Sequence, residues 1–135
     1  MNVVDTNILF YAHDPRDPEK QQTAQSLIES LLDGALLWQV ACEYLSASRK
    51  LEPFGYSREQ ALQEVRDLRS AWVTILPSWQ VLEWSQQLLK EHSVSFWDAM
   101  ILAASREAGV SRLYSEDLDP RIKIDELEII NPFAK

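Results

Sequence analysis

Residues 3–9 of the chain read VVDTNIL. Two β-branched apolar residues run into Asp5, two small polar residues follow, and apolar residues then resume. This pattern predicts a short buried strand that ends at Asp5 and turns at once into a helix. In open α/β sheets, ligands bind beyond the carboxyl ends of the strands, so Asp5 is a candidate for chemistry. Asp is also a preferred N-cap, so a purely structural role at the start of the helix is the open alternative.

Length and charge narrow the classes of protein that the chain can represent. Its 135 residues suit one domain, expected to span 1–135. The net charge of -8 excludes a generic basic nucleic-acid binder, although bound metal ions can offset a cluster of carboxylates locally. The single Cys42 fits a reducing compartment, and no signal peptide or membrane span is evident, so we expect a cytoplasmic protein without membrane contact.

Apolar runs and helical patterns alternate along the whole sequence. We predict a central, mostly parallel sheet of four to five short strands, flanked by helices on both faces. Gly34 is expected to end the helix that begins after Asp17, and the helix that contains Glu43 is expected to run to Arg49. The five Trp residues predict a substantial aromatic core. The predicted strands are 3–5, 35–38, 72–76, 112–115 and about 127–130.

Four acidic residues stand where surface acids would not be expected. Asp5 ends a strand, Glu43 lies in the helix directly after the second strand, Asp98 opens an apolar helix, and Asp117 follows the fourth strand. A parallel sheet brings the carboxyl ends of its strands to one edge. We therefore predict that these four side chains lie close together.

Each acid also has a structural alternative. Ser95 and Asp98 have the spacing of a capping box, Glu43 could be an ordinary exposed helix residue, and Asp is common in turns such as that of Asp117. The shared topological position of all four acids argues against four separate structural roles.

Converging carboxylates would raise one another's pKa strongly, and a divalent ion would remove that penalty. Oxygen ligands suit Mg²⁺ or Mn²⁺, and no Cys/His cluster supports zinc. Such a site can position water for in-line attack on a phosphodiester. Neither His13 nor His92, nor any Lys, is well placed by sequence to act as the general base. Attack by water would leave a 5′-phosphate.

Motifs along the whole chain resemble the PIN-domain ribonucleases, and among them the VapC toxins of prokaryotic toxin–antitoxin pairs. The resemblance implies a parallel sheet flanked by helices, metal-dependent RNA cleavage, and a small antitoxin partner; we also expect a homodimer. The stretches that carry it are 4–9 (VDTNIL), Glu43, 97–104 (WDAMILAA), 115–118 (SEDL) and 131–133 (NPF).

The resemblance also implies roles for individual residues. The four acids named above match the family's Mg²⁺- or Mn²⁺-binding carboxylates. Asn7 and Ser115 match polar positions beside these acids. Thr6 is expected to be a third supporting polar residue of the site. Asp119 matches a less regular acidic position, and Pro120 departs from the aromatic residue that often follows the last acids.

Other classes of protein fit the sequence less completely. A haloacid-dehalogenase-like phosphatase needs a second acid two residues after the first, and Asn7 stands there. A receiver domain needs an acid at the end of the third strand, which here ends in Ile75 and Leu76. Another metal-dependent phosphohydrolase and a non-catalytic RNA- or protein-binding module of PIN-like fold remain the alternatives.

Overall fold

Short strands alternate with helices in the computed structural model, which describes all 135 residues. The elements are β1 (Asn2–Val4), α1 (Thr6–Tyr11), α2 (Pro18–Ser30), β2 (Gly34–Leu37), α3 (Trp38–Ala47), a 3₁₀ helix (Ser48–Phe54), α4 (Arg58–Ala71), β3 (Val73–Ile75), α5 (Trp79–Glu91), α6 (Phe96–Ala108), β4 (Arg112–Tyr114) and β5 (Glu128–Ile130).

The five strands form one sheet in the order β3-β2-β1-β4-β5, and every neighbouring pair is parallel. Consecutive residues of a strand point to opposite faces. Val3 and Val4 of β1 are both buried, as are Leu36 and Leu37 of β2, so helices cover both faces of the sheet. The predicted fold is confirmed. Because all strands are parallel and β1 is central, residues that follow β1, β2 and β4 meet at one edge.

Local sequence sets the starts of the helices. The side chains of Asp17, Ser57, Ser78 and Ser95 each accept a hydrogen bond from the backbone N–H three residues on. Ser57 forms a complete capping box with Gln60. These caps satisfy backbone donors that have no partner inside the helix.

Several predicted boundaries are wrong: β1 and β4 each end one residue earlier than predicted, and β3 begins at Val73. Gly34 does not end α2, which stops at Ser30; Gly34 is the first residue of β2. Trp38 opens α3 instead of closing β2, because the backbone turns helical directly after the extended Leu37. Helix α3 ends at Ala47, and Arg49 lies in the 3₁₀ helix that follows.

The core is aliphatic rather than aromatic, contrary to the expectation from the Trp content. Of the five Trp residues only Trp72 is buried, whereas Trp38, Trp79 and Trp97 are exposed. The large side chains at the centre of the core are mostly Leu, Ile and Val, with Tyr44. No helix is both long and apolar enough to span a bilayer.

Gly34 allows the indole of Trp72 to lie against the start of β2. A Cβ at position 34 would lie 2.6 Å from atoms of that ring, which is packed into the core and cannot easily move. We expect Gly34→Ala to lower the free energy of unfolding by about 1–3 kcal/mol, as overpacking does. Urea unfolding measures this change. Ser111→Ala, at an exposed neighbouring position, is the matched control and should stay within about 0.5 kcal/mol of wild type. Equal stability of the two variants would contradict the prediction.

Candidate active site

Asp5 is both the residue that follows β1 and the N-cap of α1. Its backbone N–H donates to the Tyr114 carbonyl at 2.8 Å, which extends the pairing of β1 with β4 by one bond. Its carboxylate is buried and accepts the Thr6 backbone N–H at 2.7 Å through Oδ1. The second oxygen, Oδ2, accepts the Ser115 hydroxyl at 2.7 Å. The two sequence-based interpretations of Asp5 are therefore compatible in one structure.

The fully buried Ser115 connects Asp5 to the turn after β4. While its hydroxyl donates to Asp5, the same oxygen accepts the backbone N–H groups of Asp117 and Leu118, each at 3.2 Å. One hydroxyl therefore fixes the backbone that carries the Asp117 carboxylate relative to the Asp5 carboxylate.

The two polar residues after Asp5 each hold another acid. Thr6 donates from its hydroxyl to Oε1 of Glu43 at 3.0 Å. Asn7 donates from Nδ2 to Oδ2 of Asp117 at 3.0 Å, and its Oδ1 accepts the backbone N–H of Glu116 at 3.4 Å. The short segment between β1 and the body of α1 is thus in contact with both α3 and the turn after β4.

Asp98 lies in the first turn of α6. Its backbone N–H donates to the Ser95 hydroxyl, so the cap at this helix is formed through the backbone of Asp98. Its half-buried carboxylate lines the same cavity as the other acids. Burial raises the pKa of this carboxyl, the Ser95 hydrogen bond lowers it, and the negative charge of Asp117 raises it further.

All four predicted acids line one cavity of about 330 Å³ at the carboxyl edge of the sheet. None of them forms a salt bridge with Lys, Arg or His. The other lining residues are Thr6, Asn7, Phe10, Tyr11, Ala47 and Lys50.

Burial and neighbouring charges make it unfavourable for Asp5 and Asp98 to ionise. Burial raises the pKa of Asp5 to about 6; hydrogen bonds from Ser115 and Thr6 oppose this, and the charges of Asp98 and Glu43 add to it. A divalent cation would stabilise the ionised acids. The donor set is all oxygen, which suits Mg²⁺ or Mn²⁺ rather than a metal that prefers sulfur.

The residue types fit a hard cation, but the side chains are not arranged as a coordination sphere. No three His, Cys, Asp or Glu side chains lie close enough together to hold one ion. The carboxylates instead take separate positions around the cavity, three of them hydrogen-bonded to polar neighbours.

Asp119 lies apart from the other predicted site residues. Its carboxylate forms hydrogen bonds with Nε and Nη2 of Arg121, two residues further on, and it does not line the cavity. Pro120 stands between the two partners. The local ion pair shapes this loop and directs the carboxylate away from the acids.

Sequence reasoning did not identify Gln39 and Lys50. Gln39 donates from Nε2 to Oε1 of Glu43 at 3.4 Å and to the Trp97 carbonyl at 2.9 Å, so it joins α3 to the start of α6. Its position one helical turn before Glu43 is the only signal in the sequence. Lys50 lines the cavity, although no Lys was well placed by sequence to act as a general base.

A second polar cluster, which begins at the cavity-lining Tyr11, supports the turn after β4. Tyr11 donates its hydroxyl to Glu116 at 2.9 Å, and the ammonium of Lys20 pairs with the same carboxylate. The Lys20 ammonium also lies over the rings of Tyr11 and Phe133, which pack edge to face. This cluster gives the C-terminal 131–133 segment a structural role beside Asp117.

The two histidines lie outside the cavity. His92 is the C-cap of α5. His13 is half-buried, stacks on Tyr56 with ring centroids 4.3 Å apart, and contacts Glu64.

The sequence matches the PIN domain family over residues 3–126. A search of curated proteins finds no match.

Solved structures share this architecture over nearly the whole chain. A toxin–antitoxin complex from Klebsiella pneumoniae contains a chain with a TM-score of 0.72 and 22% identity, with 98% of each chain covered. VapC20 of Mycobacterium tuberculosis, a toxin that cleaves the sarcin-ricin loop, has a TM-score of 0.70 at 19% identity, covering 87% of this chain and 90% of its own. VapBC2 of Rickettsia felis, solved with a DNA fragment from its promoter, has a TM-score of 0.65 at 17% identity, covering 96% and 97%. At these identities the likeness establishes a shared fold.

Ionisation of Asp5 should destabilise the metal-free protein. Its pKa is about 6 in the native state against an ordinary value of 3.8, so between these pH values the native state binds more protons than the unfolded state. The free energy of unfolding therefore falls as the pH rises through this window, and levels off above it. In EDTA, we expect wild type to lose up to about 3 kcal/mol relative to Asp5→Asn between about pH 4 and pH 6.

Urea unfolding at several pH values measures the difference. Asp67→Asn, at an exposed position on α4, serves as the control and should follow the wild-type curve. A constant difference between wild type and Asp5→Asn across the whole pH range would contradict the effect.

Proposed function

Because the chain belongs to the PIN domain family, we propose that it is a ribonuclease that depends on Mg²⁺ or Mn²⁺ and hydrolyses RNA phosphodiester bonds. One observation carries the proposal. Four carboxylates from separate parts of the sequence line a single cavity without any salt bridge to neutralise them. Acids that share a cavity without a cationic partner, two of them with raised pKa values, are more typical of a functional site than of a structural one.

The proposed ligands are Asp5, Glu43, Asp98 and Asp117. A bound divalent ion would supply a positive charge for the phosphodiester oxygens and an activated water for in-line attack. The protein's contribution is to orient the acids: Thr6 and Gln39 restrain Glu43, whereas Asn7 and Ser115 restrain the turn that carries Asp117.

Cleavage assays on RNA test this proposal directly. Wild type should cleave RNA in Mg²⁺, lose activity in EDTA and regain it when Mg²⁺ is restored. Asp98→Asn should lower the rate by about 100-fold or more, because changes even to groups that only support metal ligands cost 10–100-fold. Asp67→Asn provides the matched control and should remain active.

The chemistry of the product ends is a second readout of the same experiment. Attack by water leaves a 5′-phosphate and a 3′-hydroxyl, whereas attack by the RNA 2′-hydroxyl leaves a cyclic 2′,3′-phosphate. Cyclic phosphate products, or full activity in excess EDTA, would exclude the metal-dependent mechanism. A wild-type protein that binds RNA but never cleaves it would instead favour a non-catalytic binding module.

We further propose that the chain is the toxin of a type II toxin–antitoxin pair and acts in the cytoplasm as a homodimer. The Klebsiella pneumoniae relative comes from a toxin–antitoxin complex, and VapC20 is a toxin. A small antitoxin would have to block the acidic cavity. An antitoxin Arg suits this role, since its planar guanidinium binds carboxylates in pairs.

Expression of the chain alone should arrest growth, and co-expression with a small neighbouring gene should restore it and yield a complex that co-purifies. Asp98→Asn alone should be harmless, because toxicity would arise from cleavage. A wild-type protein that is harmless alone and purifies without a small partner would contradict the toxin assignment, while leaving the ribonuclease assignment to the cleavage assay.

A further inference from the structure

Lys50 is the one basic side chain that lines the acidic cavity. It lies in the 3₁₀ helix that continues from α3, and its side chain is exposed. Glu43, Ala47 and Lys50 follow one another at intervals of four and three residues, the spacing of one helical face, and all three line the cavity. The helix that supplies one of the acids therefore also supplies a positive charge at the same cavity.

Most other basic side chains are already paired with an acid. Eight of the 13 Lys and Arg residues form salt bridges. Of the remaining five, only Lys50 lines the cavity. The five are Lys50, Arg66, Arg69, Lys90 and Lys123.

Lys50 forms no salt bridge although four carboxylates line the same cavity, which argues against a role as their counter-ion. A lysine that served to neutralise these acids would be expected within salt-bridge distance of one of them, and no such pair is present. Its ammonium is a compact charge on a flexible stem and can reach an anion at the cavity mouth.

The overall charge makes such an anion contact important. With a net charge of -8, the protein as a whole repels a polyanion. Affinity for RNA normally comes largely from Lys and Arg contacts with phosphates. On this chain, the acidic cavity offers RNA a single unpaired cation beside the proposed point of cleavage.

We propose that Lys50 binds a phosphate of the RNA strand next to the phosphodiester that is cleaved. The inference rests on the proposed function. Lys50 acts as a positioning residue: it holds the strand across the cavity, while the carboxylates carry the chemistry. Removing its charge should therefore weaken RNA binding much more than it lowers the rate at which bound RNA is cleaved.

The test compares Lys50→Met, Lys50→Arg and Lys90→Met with wild type. Lys90 is exposed and unpaired like Lys50 but lies at the end of α5, away from the cavity, and is therefore a matched control. Each protein is assayed for cleavage of a single-stranded RNA oligonucleotide in Mg²⁺. RNA affinity is measured separately, by fluorescence anisotropy in the Asp98→Asn background, at several salt concentrations. Mn²⁺ binding is measured by calorimetry without RNA.

For Lys50→Met we expect KM and the RNA Kd to rise about 10-fold, with kcat within about two-fold of wild type. The slope of log K against log salt should fall in magnitude by about one, as for the loss of one phosphate contact. Lys50→Arg should retain most of the affinity, because it keeps the charge, and Lys90→Met should match wild type. Mn²⁺ affinity should not weaken in any of the three.

Other results would overturn the inference. A large fall in kcat with unchanged KM would make Lys50 part of the chemistry, and tighter Mn²⁺ binding with unchanged RNA affinity would make it a counter-ion of the acids. Equal effects of Lys50→Met and Lys90→Met would remove any special role. Each of these outcomes requires an active wild type. An inactive wild type would instead overturn the proposed function itself.

Discussion

The site depends on one buried carboxylate whose two oxygens are held by two different parts of the chain. Asp5 accepts the Thr6 backbone N–H at the start of α1 and the hydroxyl of Ser115 after β4. A buried charge without such partners would be prohibitively costly. These hydrogen bonds fix the position of the Asp5 carboxylate, and Ser115 in turn fixes the backbone of Asp117. The relative positions of Asp5 and Asp117 at this edge of the sheet therefore follow from how the Asp5 carboxylate is hydrogen-bonded.

The same arrangement makes ionisation of the cavity acids unfavourable for the stability of the fold. Asp5 and Asp98 both have raised pKa values, through burial first and through neighbouring acids as well. Outside the cavity, the buried Asp14 is paired with Arg16 and the half-buried Glu116 with Lys20. Proteins tolerate unfavourable local interactions mainly where function requires them, and compensate through packing elsewhere. Here the compensation comes from an aliphatic core that surrounds the sheet and reaches the residues beside Asp5, including Val4 and Ile8.

Fold and activity rest on different evidence in this protein. The family match comes from the sequence, and the shared architecture comes from the parallel sheet and its helices, a scaffold that can carry many chemistries. The proposed activity rests on the side chains at one edge. Glu116 is adjacent to Asp117 but does not line the cavity; its carboxylate contacts Tyr11 and Lys20 and supports the turn. Neighbouring acids thus take different roles because their surroundings differ.

The sequence by itself determined the alternation of strands and helices and most helix starts, since these depend on interactions within a few residues. Ser57, Ser78 and Ser95 cap their helices through the next turn of backbone. The sequence also identified the four acids as a set, because a parallel sheet brings strand ends to one edge. The predicted ends of α2 and α3 were wrong, because helix propensity changes gradually there and tertiary packing determines where each helix ends.

Tertiary structure alone decided which side chains meet across long separations. The contacts of Thr6 with Glu43, of Asn7 with Asp117 and of Gln39 with Trp97 join residues 37, 110 and 58 positions apart. No local pattern encodes such pairs, because they depend on how helices and turns pack around the sheet. The same packing leaves most Trp residues outside the core and brings Lys50 to the acids. Sequence periodicity gives the face of a helix, whereas only packing determines what that face meets.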